Sequence, residues 1–339
     1  MAGADPANSG YVDGSFPTDP TEPAELFTIN SYPGGVESIT TGDGILAATF
    51  GGTKLLVWDL NDRSERWRFD AGEGEGLYPS PTVANESLYV RTPAHVRCLS
   101  LADGSTRWVT GISSPDLRPV PLGEELVVGA ATEQAVVGLN ARTGERRWTF
   151  ETEGSPTGVA VSDDRLFVTD RGNESGRVTA VDPETREAVW QRTFTPIKAP
   201  PTVTDSTVLV GDAGGMVRAL SRGDGSTEWE DDVIGDAEGV QSPVATDGDH
   251  VYVTPDNDEV LSVLGAESGK EQHATEVGQS YWVGAVGDTV LFRTRSGVGV
   301  WRPGSGDAQT IDVPGNVSAV CPTDSGAFVA AGDAVYRLG

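Results

Sequence analysis

Short apolar runs alternate with clusters of Gly, Asp, Asn and Pro along almost the whole chain, and the alternation recurs about every forty residues. In one representative unit, residues 119–122, 126–130, 135–140 and 146–151 read as strands. They are separated by Gly123-Glu124, Ala131-Thr132-Glu133 and Arg142-Thr143-Gly144. Short β-rich runs bounded by turn formers are the strand signal. No stretch inside the repeats spaces its apolar residues as a helix requires.

Tryptophan fixes the frame. Trp67, Trp108, Trp148, Trp190 and Trp229 are 41, 40, 42 and 39 residues apart, and Phe27 lies 40 residues before the first. Downstream the slot passes to His273 and Thr310. Nine residues before each slot lies an apolar residue: Trp58, Leu99, Leu139, Val181, Leu220, Leu264 and Trp301. Three before that lies another, from Leu55 and Val96 through to Leu261 and Val298. Fixed internal offsets within a long period mark a repeat architecture, and four short strands per unit match one propeller blade.

Seven units fit residues 36–71, 77–111, 114–152, 155–195, 198–234, 239–278 and 281–314. Residues 316–339 then supply three strands and no fourth. The missing outer strand is at the other end, over 24–31, with Phe27 in the tryptophan slot. The expectation is an all-β chain: an eight-bladed β-propeller of four-stranded antiparallel blades, closed by the N-terminal strand completing the C-terminal blade. Closure leaves no open sheet edge. It also brings residues 1–23 and Gly339 out on one side of the ring.

The slot has a physical task. An indole on the outer strand can lie flat on the neighbouring blade and bury a large apolar area there. A Gly four residues earlier, as at Gly104, Gly144, Gly225, Gly269 and Gly306, allows the turn a positive φ; Arg63 and Arg186 replace it in two units. Loss of the aromatic ring at His273 and Thr310 predicts looser seams around blades six and seven.

Leu139-Asn140-Ala141-Arg142-Thr143-Gly144-Glu145-Arg146-Arg147-Trp148 resembles the Leu-Asp-Ala-x-Thr-Gly-x-x-x-Trp signature of pyrroloquinoline-quinone-like repeats, with weaker copies at 181–185 and 220–229. The resemblance runs over residues 24–339 and implies the propeller fold. It does not choose an activity, because the family contains both quinoprotein dehydrogenases and non-catalytic propellers, among them a scaffold lipoprotein of bacterial outer-membrane assembly. Function has to be argued from a site.

Charge changes the picture. The 339 residues carry 51 acidic and 24 basic side chains, a formal net charge of −27, and the lysines are Lys54, Lys198 and Lys270 alone. Excess carboxylate with almost no lysine resembles proteins of salt-loving organisms, haloarchaea above all. Self-repulsion at that charge weakens the compact state and is screened at molar salt, where the Debye length is about 3 Å. Nucleic-acid binding, which needs a basic footprint, is not expected. No run of eighteen apolar residues is present to span a membrane, and no signal peptide is visible. Residues 1–23, acidic and rich in Gly, Pro and Ser, read as a disordered tail. Such a tail suits a tether, so an extracytoplasmic or surface-anchored location is expected, with a cytoplasmic one as the alternative. Cys98 and Cys321 fall on blades two and eight and are expected as free thiols.

Candidate chemistry is sparse. The resemblance implies that a quinoprotein dehydrogenase would hold its cofactor over the ring axis beside calcium, in many members with an adjacent cysteine pair. This chain has no such pair and no long insertions. His95, His250 and His273 fall on separate turns and strands and do not converge on a zinc. Two acidic groups, Glu228, Glu230, Asp231, Asp232, Asp236 and Glu238, then Asp256, Asp258 and Glu259, have the oxygens calcium takes. Neither follows the twelve-residue calcium pattern, so a solvated acidic surface is the preferred reading and calcium the alternative. Asp170 to Gly176 reads as a hairpin turn. No nucleophile elbow or phosphate-cradling loop occurs. Tyr78, Tyr281 and Trp282, at the starts of blades two and seven, are the candidate partner contacts, with a core role the preferred reading for each. The reading that follows is a monomeric, non-catalytic protein-binding or scaffolding module without a cofactor. The alternatives are a small quinoprotein-like dehydrogenase binding the quinone and calcium, or the sensor domain of a membrane-anchored protein.

Overall fold

The computed structural model describes residues 9–18, 22–29, 34–72, 75–114, 117–162, 165–233, 239–240, 242–254, 260–277, 280, 282–306 and 308–339. Eight sheets follow one another around a ring, each built from consecutive antiparallel strands. Blade one, for example, comprises Val36–Gly42, Ile45–Phe50, Lys54–Asp59 and Glu65–Asp70. The last blade has Val317–Thr323, Gly326–Ala331 and Ala334–Leu338, and its outer strand is Ala24–Thr28.

Burial explains the sequence pattern. Second strands have neighbours on both faces and read as unbroken apolar runs, as in Ile45–Phe50, where every residue is buried. Fourth strands face solvent and alternate. In Thr106–Gly111 and Thr227–Asp232 the buried residue is the slot tryptophan, flanked by exposed polar positions. Closure is as expected: Phe27 lies opposite Val335 and Ala24 opposite Arg337, so the entering strand begins beside the chain's last residues.

Hydroxyl groups latch neighbouring blades near the axis. Thr82 Oγ1 donates to Pro119 O at 2.8 Å, Thr169 Oγ1 to Ala199 O at 3.0 Å, and Thr202 Oγ1 to Val244 O at 2.7 Å. Ser318 Oγ closes the ring, donating to Val36 O at 2.5 Å across blades eight and one. Each latch satisfies a buried carbonyl on the segment leading into the next blade, where an unpaired group would be costly.

Two expectations need correction. Residues 9–18 are not a disordered tail. Tyr11–Val12 pairs in parallel with Val283–Val286, the innermost strand of blade seven, so residues 11 and 12 lie on the axial side of the ring. Ser15 N–H then donates to Asp324 O at 3.0 Å, and Arg302 donates to the carbonyls of Phe16 and Pro17 at 3.2 and 2.7 Å. Phe16 is 3% exposed, within the apolar cluster between blades seven and eight. Composition judged the segment on its own few apolar residues. It is ordered by hydrogen-bond partners nearly three hundred residues away.

The seams are not looser where the slot lacks tryptophan. His273 stacks on Trp301 of blade seven, with centroids 4.8 Å apart and planes 15° apart. Phe27 stacks on Trp58 of blade one at 4.6 Å and 20°. At both places the third strand of the following blade brings the missing indole, and between blades seven and eight Phe16 fills the corresponding cluster. Among the described residues no helix is long and apolar enough to cross a membrane.

Candidate interaction site

The tryptophan slots are joints between blades. Each indole lies on the third-to-fourth turn of the following blade, and its N–H is satisfied there. Trp67 Nε1 donates to Leu101 O at 2.9 Å, Trp108 to Ala141 O at 3.0 Å, Trp190 to Arg222 O at 3.0 Å and Trp229 to Ala266 O at 2.7 Å. The turn glycine has φ near +70° and faces the ring. A Cβ at Gly104, Gly144 or Gly225 would come within 2.5–2.6 Å of the preceding blade's indole. Left-handed backbone and lack of space both demand glycine at these turns.

One joint departs from this rule. Arg186 takes the glycine position of blade four at φ 65°, and a side chain there cannot share space with a flat indole. Trp148 instead lies over Gly138 of its own blade and is only half-buried. Its Nε1 donates to Glu125 Oε2 at 2.6 Å, Arg186 donates to the same oxygen at 3.0 Å, and the guanidinium sits 4.6 Å over the indole. An ion pair and a cation–π contact replace the glycine joint. The Gly-to-Arg change was visible in the sequence, but the displaced tryptophan was not.

The predicted partner contacts divide. Trp282 is 3% exposed, lies over Gly284 and belongs to the cluster between blades seven and eight. It is a core residue, not a partner contact, in the room that Gly284, two residues on in Val283–Val286, leaves for its ring. Tyr281 lies outside the described residues. Tyr78 is half-buried, with the Arg91 guanidinium 5.4 Å over its ring, and Arg91 is fixed by donating to Pro79 O at 2.7 Å. Of the three candidates, Tyr78 alone is described as partly open, on the face that carries the connections between blades.

The acidic groups split likewise. Glu228, Glu230 and Asp232 are exposed along the outer strand of blade five, and Arg218 pairs with Glu230 at 3.0 Å. Asp236, Glu238, Asp256, Asp258 and Glu259 lie outside the described residues. Among the described residues no three His, Cys, Asp or Glu side chains are grouped to hold a metal ion. His250 Nδ1 lies 3.1 Å from Asp247 Oδ2, and His273 is taken up by its stack on Trp301. Burial pushes the Asp247 carboxyl up, but the Tyr252 hydroxyl and the backbone N–H of His250 donate to it and hold it below the ordinary range. Burial raises the Asp170 carboxyl despite its pair with Arg177. Cys98 and Cys321 are both free.

The sequence profile described as Outer membrane protein assembly factor BamB matches residues 22–162, 132–281 and 174–313. The chain is 27% identical over 178 residues to the protein of that name from Burkholderia pseudomallei (strain K96243), covering 49% of this chain. It is 22% identical over 240 residues to the one from Yersinia pestis, covering 65% of this chain. These matches span 43% and 59% of the two relatives' own lengths. The crystal structure of BamB from Moraxella catarrhalis superposes with a TM-score of 0.77 at 14% identity, over 94% of this chain and 99% of that one. A europium-containing methanol dehydrogenase superposes equally well, with a TM-score of 0.77 at 12% identity over 99% of this chain and 90% of that one. Likeness at such identity speaks to the fold.

Proposed function

Since the chain belongs to the pyrroloquinoline-quinone-like repeat family described as Outer membrane protein assembly factor BamB, we propose that it is a non-catalytic ring on which another protein docks, outside the cytoplasm of a salt-adapted organism. The observation that carries the reading is the segment 9–12, paired along the innermost strand of blade seven. In the family's dehydrogenases the quinone lies over the axis; here part of the axial edge is taken by the chain's own backbone. The cysteines, on separate blades, do not supply the adjacent pair many of those enzymes use. Both features weigh against the quinone, and no step is assigned to it. The relatives' name describes an assembly factor for outer membrane proteins, which supports docking as the activity. The charge of −27 supports a salty setting.

Tyr78, open beside Arg91 on the connector face, is the aromatic best placed to meet a partner, since tyrosine and arginine are enriched at binding hot spots. A photo-crosslinking residue at position 78, in the native host, should trap one discrete protein, and the same residue at exposed Val189 on an outer strand should not. Identical adducts at both positions, or dye-linked alcohol oxidation after addition of the quinone and calcium, refute the proposal.

A further inference from the structure

The outer strands carry a second repeated device beside the tryptophan. In blades one to six the ladder between third and fourth strands slips by one residue just before the slot, so that the preceding residue is bulged. A bulge re-aims its side chain away from the regular alternation. The bulged residues are Arg66, Arg107, Arg147, Val189, Glu228 and Gln272. Seven positions earlier, at the start of the preceding turn, stand Asp59, Ser100, Asn140, Asp182, Ser221 and Gly265.

Blade one shows the complete pair: Arg66 Nε donates to Asp59 Oδ2 at 2.9 Å. Blades two and three keep the arginine and lack the aspartate. Asn140 still caps its turn, its Oδ1 accepting from the N–H groups of Arg142 and Thr143 at 3.0 and 2.9 Å, as Asp182 does for Glu184 and Thr185 at 2.8 and 2.9 Å. The cap is preserved and the charge is gone.

Both of these arginines line one groove. It lies between blades two and three, encloses about 550 Å³, and also takes in Arg142, the Asn140 amide and the buried Tyr89. Arg107 is oriented by donating to Ser87 Oγ at 2.7 Å, and Tyr89 Oη by donating to Ala141 O at 3.3 Å. Among the described residues no ion pair joins Arg107, Arg142 or Arg147 to a carboxylate, although Asp103 on the same turn is near enough to Arg107 for its carboxyl to be lowered by that charge. By contrast Arg66, Arg97, Arg146, Arg177, Arg186 and Arg218 each meet one. Glu86 and Glu124 share the groove wall, leaving it one positive charge in excess within a chain of net charge −27.

We propose that this groove binds a small ligand bearing two or more carboxylate or phosphate groups. Its volume falls in the range of small-molecule sites. Guanidinium forks match the paired oxygens of both groups, and the Asn140 NH2, with no partner among the described residues, adds a donor. The same chemistry can come from a free metabolite or from acidic side chains of a protein.

The test restores the missing aspartates. Asn140→Asp and Ser100→Asp rebuild the blade-one pair beside Arg147 and Arg107, and Asp59 and Asp182 show that the turn accepts Asp. Ser221→Asp adds the same charge at the equivalent turn of blade five, whose bulged residue is Glu228. Citrate, pyrophosphate and a hexaglutamate peptide are titrated calorimetrically into each protein, at the lowest potassium chloride concentration that keeps it folded, with melting curves confirming the fold. Saturable one-to-one binding is expected, weakened at least about tenfold by Asn140→Asp and by Ser100→Asp, and changed less than about twofold by Ser221→Asp. Citrate or pyrophosphate binding assigns a free ligand; binding of the peptide alone assigns acidic side chains. Absence of saturable binding by all three, or equal weakening by all three substitutions, overturns the proposal.

Discussion

Replacing Gly225 by alanine measures what the indole joint contributes. Gly225 has φ +71°, and an added Cβ would lie 2.5 Å from Trp190 Cε3. Two costs add. Left-handed backbone for a residue with a Cβ costs about 1–2 kcal/mol, and forcing a methyl group into a filled joint costs about 1–3 kcal/mol. The total is about 2–5 kcal/mol. Gly306 separates the two: its φ is +78° and nothing lies within 4 Å of its added Cβ, so Gly306→Ala carries the backbone cost alone. With an unfolding entropy of about 2.1 cal/mol/K per residue, a chain of 339 residues has about 0.7 kcal/mol/K. The midpoint should fall by about 3–7 °C for Gly225→Ala and about 1.5–3 °C for Gly306→Ala. Thermal melts of the two variants and wild type, at one fixed potassium chloride concentration, give the answer. Equal shifts for the two variants would show that the indole is not pressed on the turn, and the account of the tryptophan period would fail.

Three further outcomes are expected. Removing Ala24–Thr28 should expose the edge of Ala334–Leu338 and produce oligomers by light scattering; a stable monomer would count against closure by that strand. Melting temperature should climb as potassium chloride rises from tenths molar to molar, because screening relieves the repulsion of 51 carboxylates against 24 basic groups; a flat profile contradicts the charge argument. Asp247 has a folded pKa below its unfolded value of about 3.9. Its contribution is complete above the unfolded value and disappears as pH drops through the lower folded one. Urea melts of Asp247→Asn should accordingly show a stability deficit at pH 6 that vanishes in strong acid, whereas parallel pH curves for variant and wild type would refute it.

The ring was legible because its determinants are local and repeated. Most blades state their strands, their turn glycine and their tryptophan within forty residues, and the strand over 24–28 was found because the last blade came up one short. What escaped depends on residues far apart in the chain. Phe16 is buried by side chains from 282 to 338, and nothing near it announces that. His273 looked like a lost joint until Trp301, on the next blade, was found stacked against it. Trp282 sits in a connection, but Gly284 leaves a place for its ring and the core reading holds. Of the candidate contacts, Tyr78 alone is described with part of its ring open.

A repeat also makes its exceptions informative. Where every blade obeys one rule, a position that breaks it has either a compensating change nearby or a different task. Arg186 breaks the glycine rule and the compensation is visible: Trp148 turns back on its own blade, and Glu125 binds both. Trp58 and Trp301 compensate for Phe27 and His273 in the same way. Ser100 and Asn140 break the Asp–Arg pairing of blade one, and no carboxylate among the described residues forms an ion pair with Arg107 or Arg147 as Asp59 does with Arg66. Solvation alone would let such arginines fall on any blade. They fall instead on adjacent blades, facing one groove, in a protein with two acids for every base. Blades four to six, with Val189, Glu228 and Gln272 at the bulge, have no arginine to leave unpaired. An arginine at this bulge without its aspartate has no ion pair across its own turn; Arg107 is held only by the neutral Ser87 hydroxyl, so much of the charge it carries is left for whatever enters the groove.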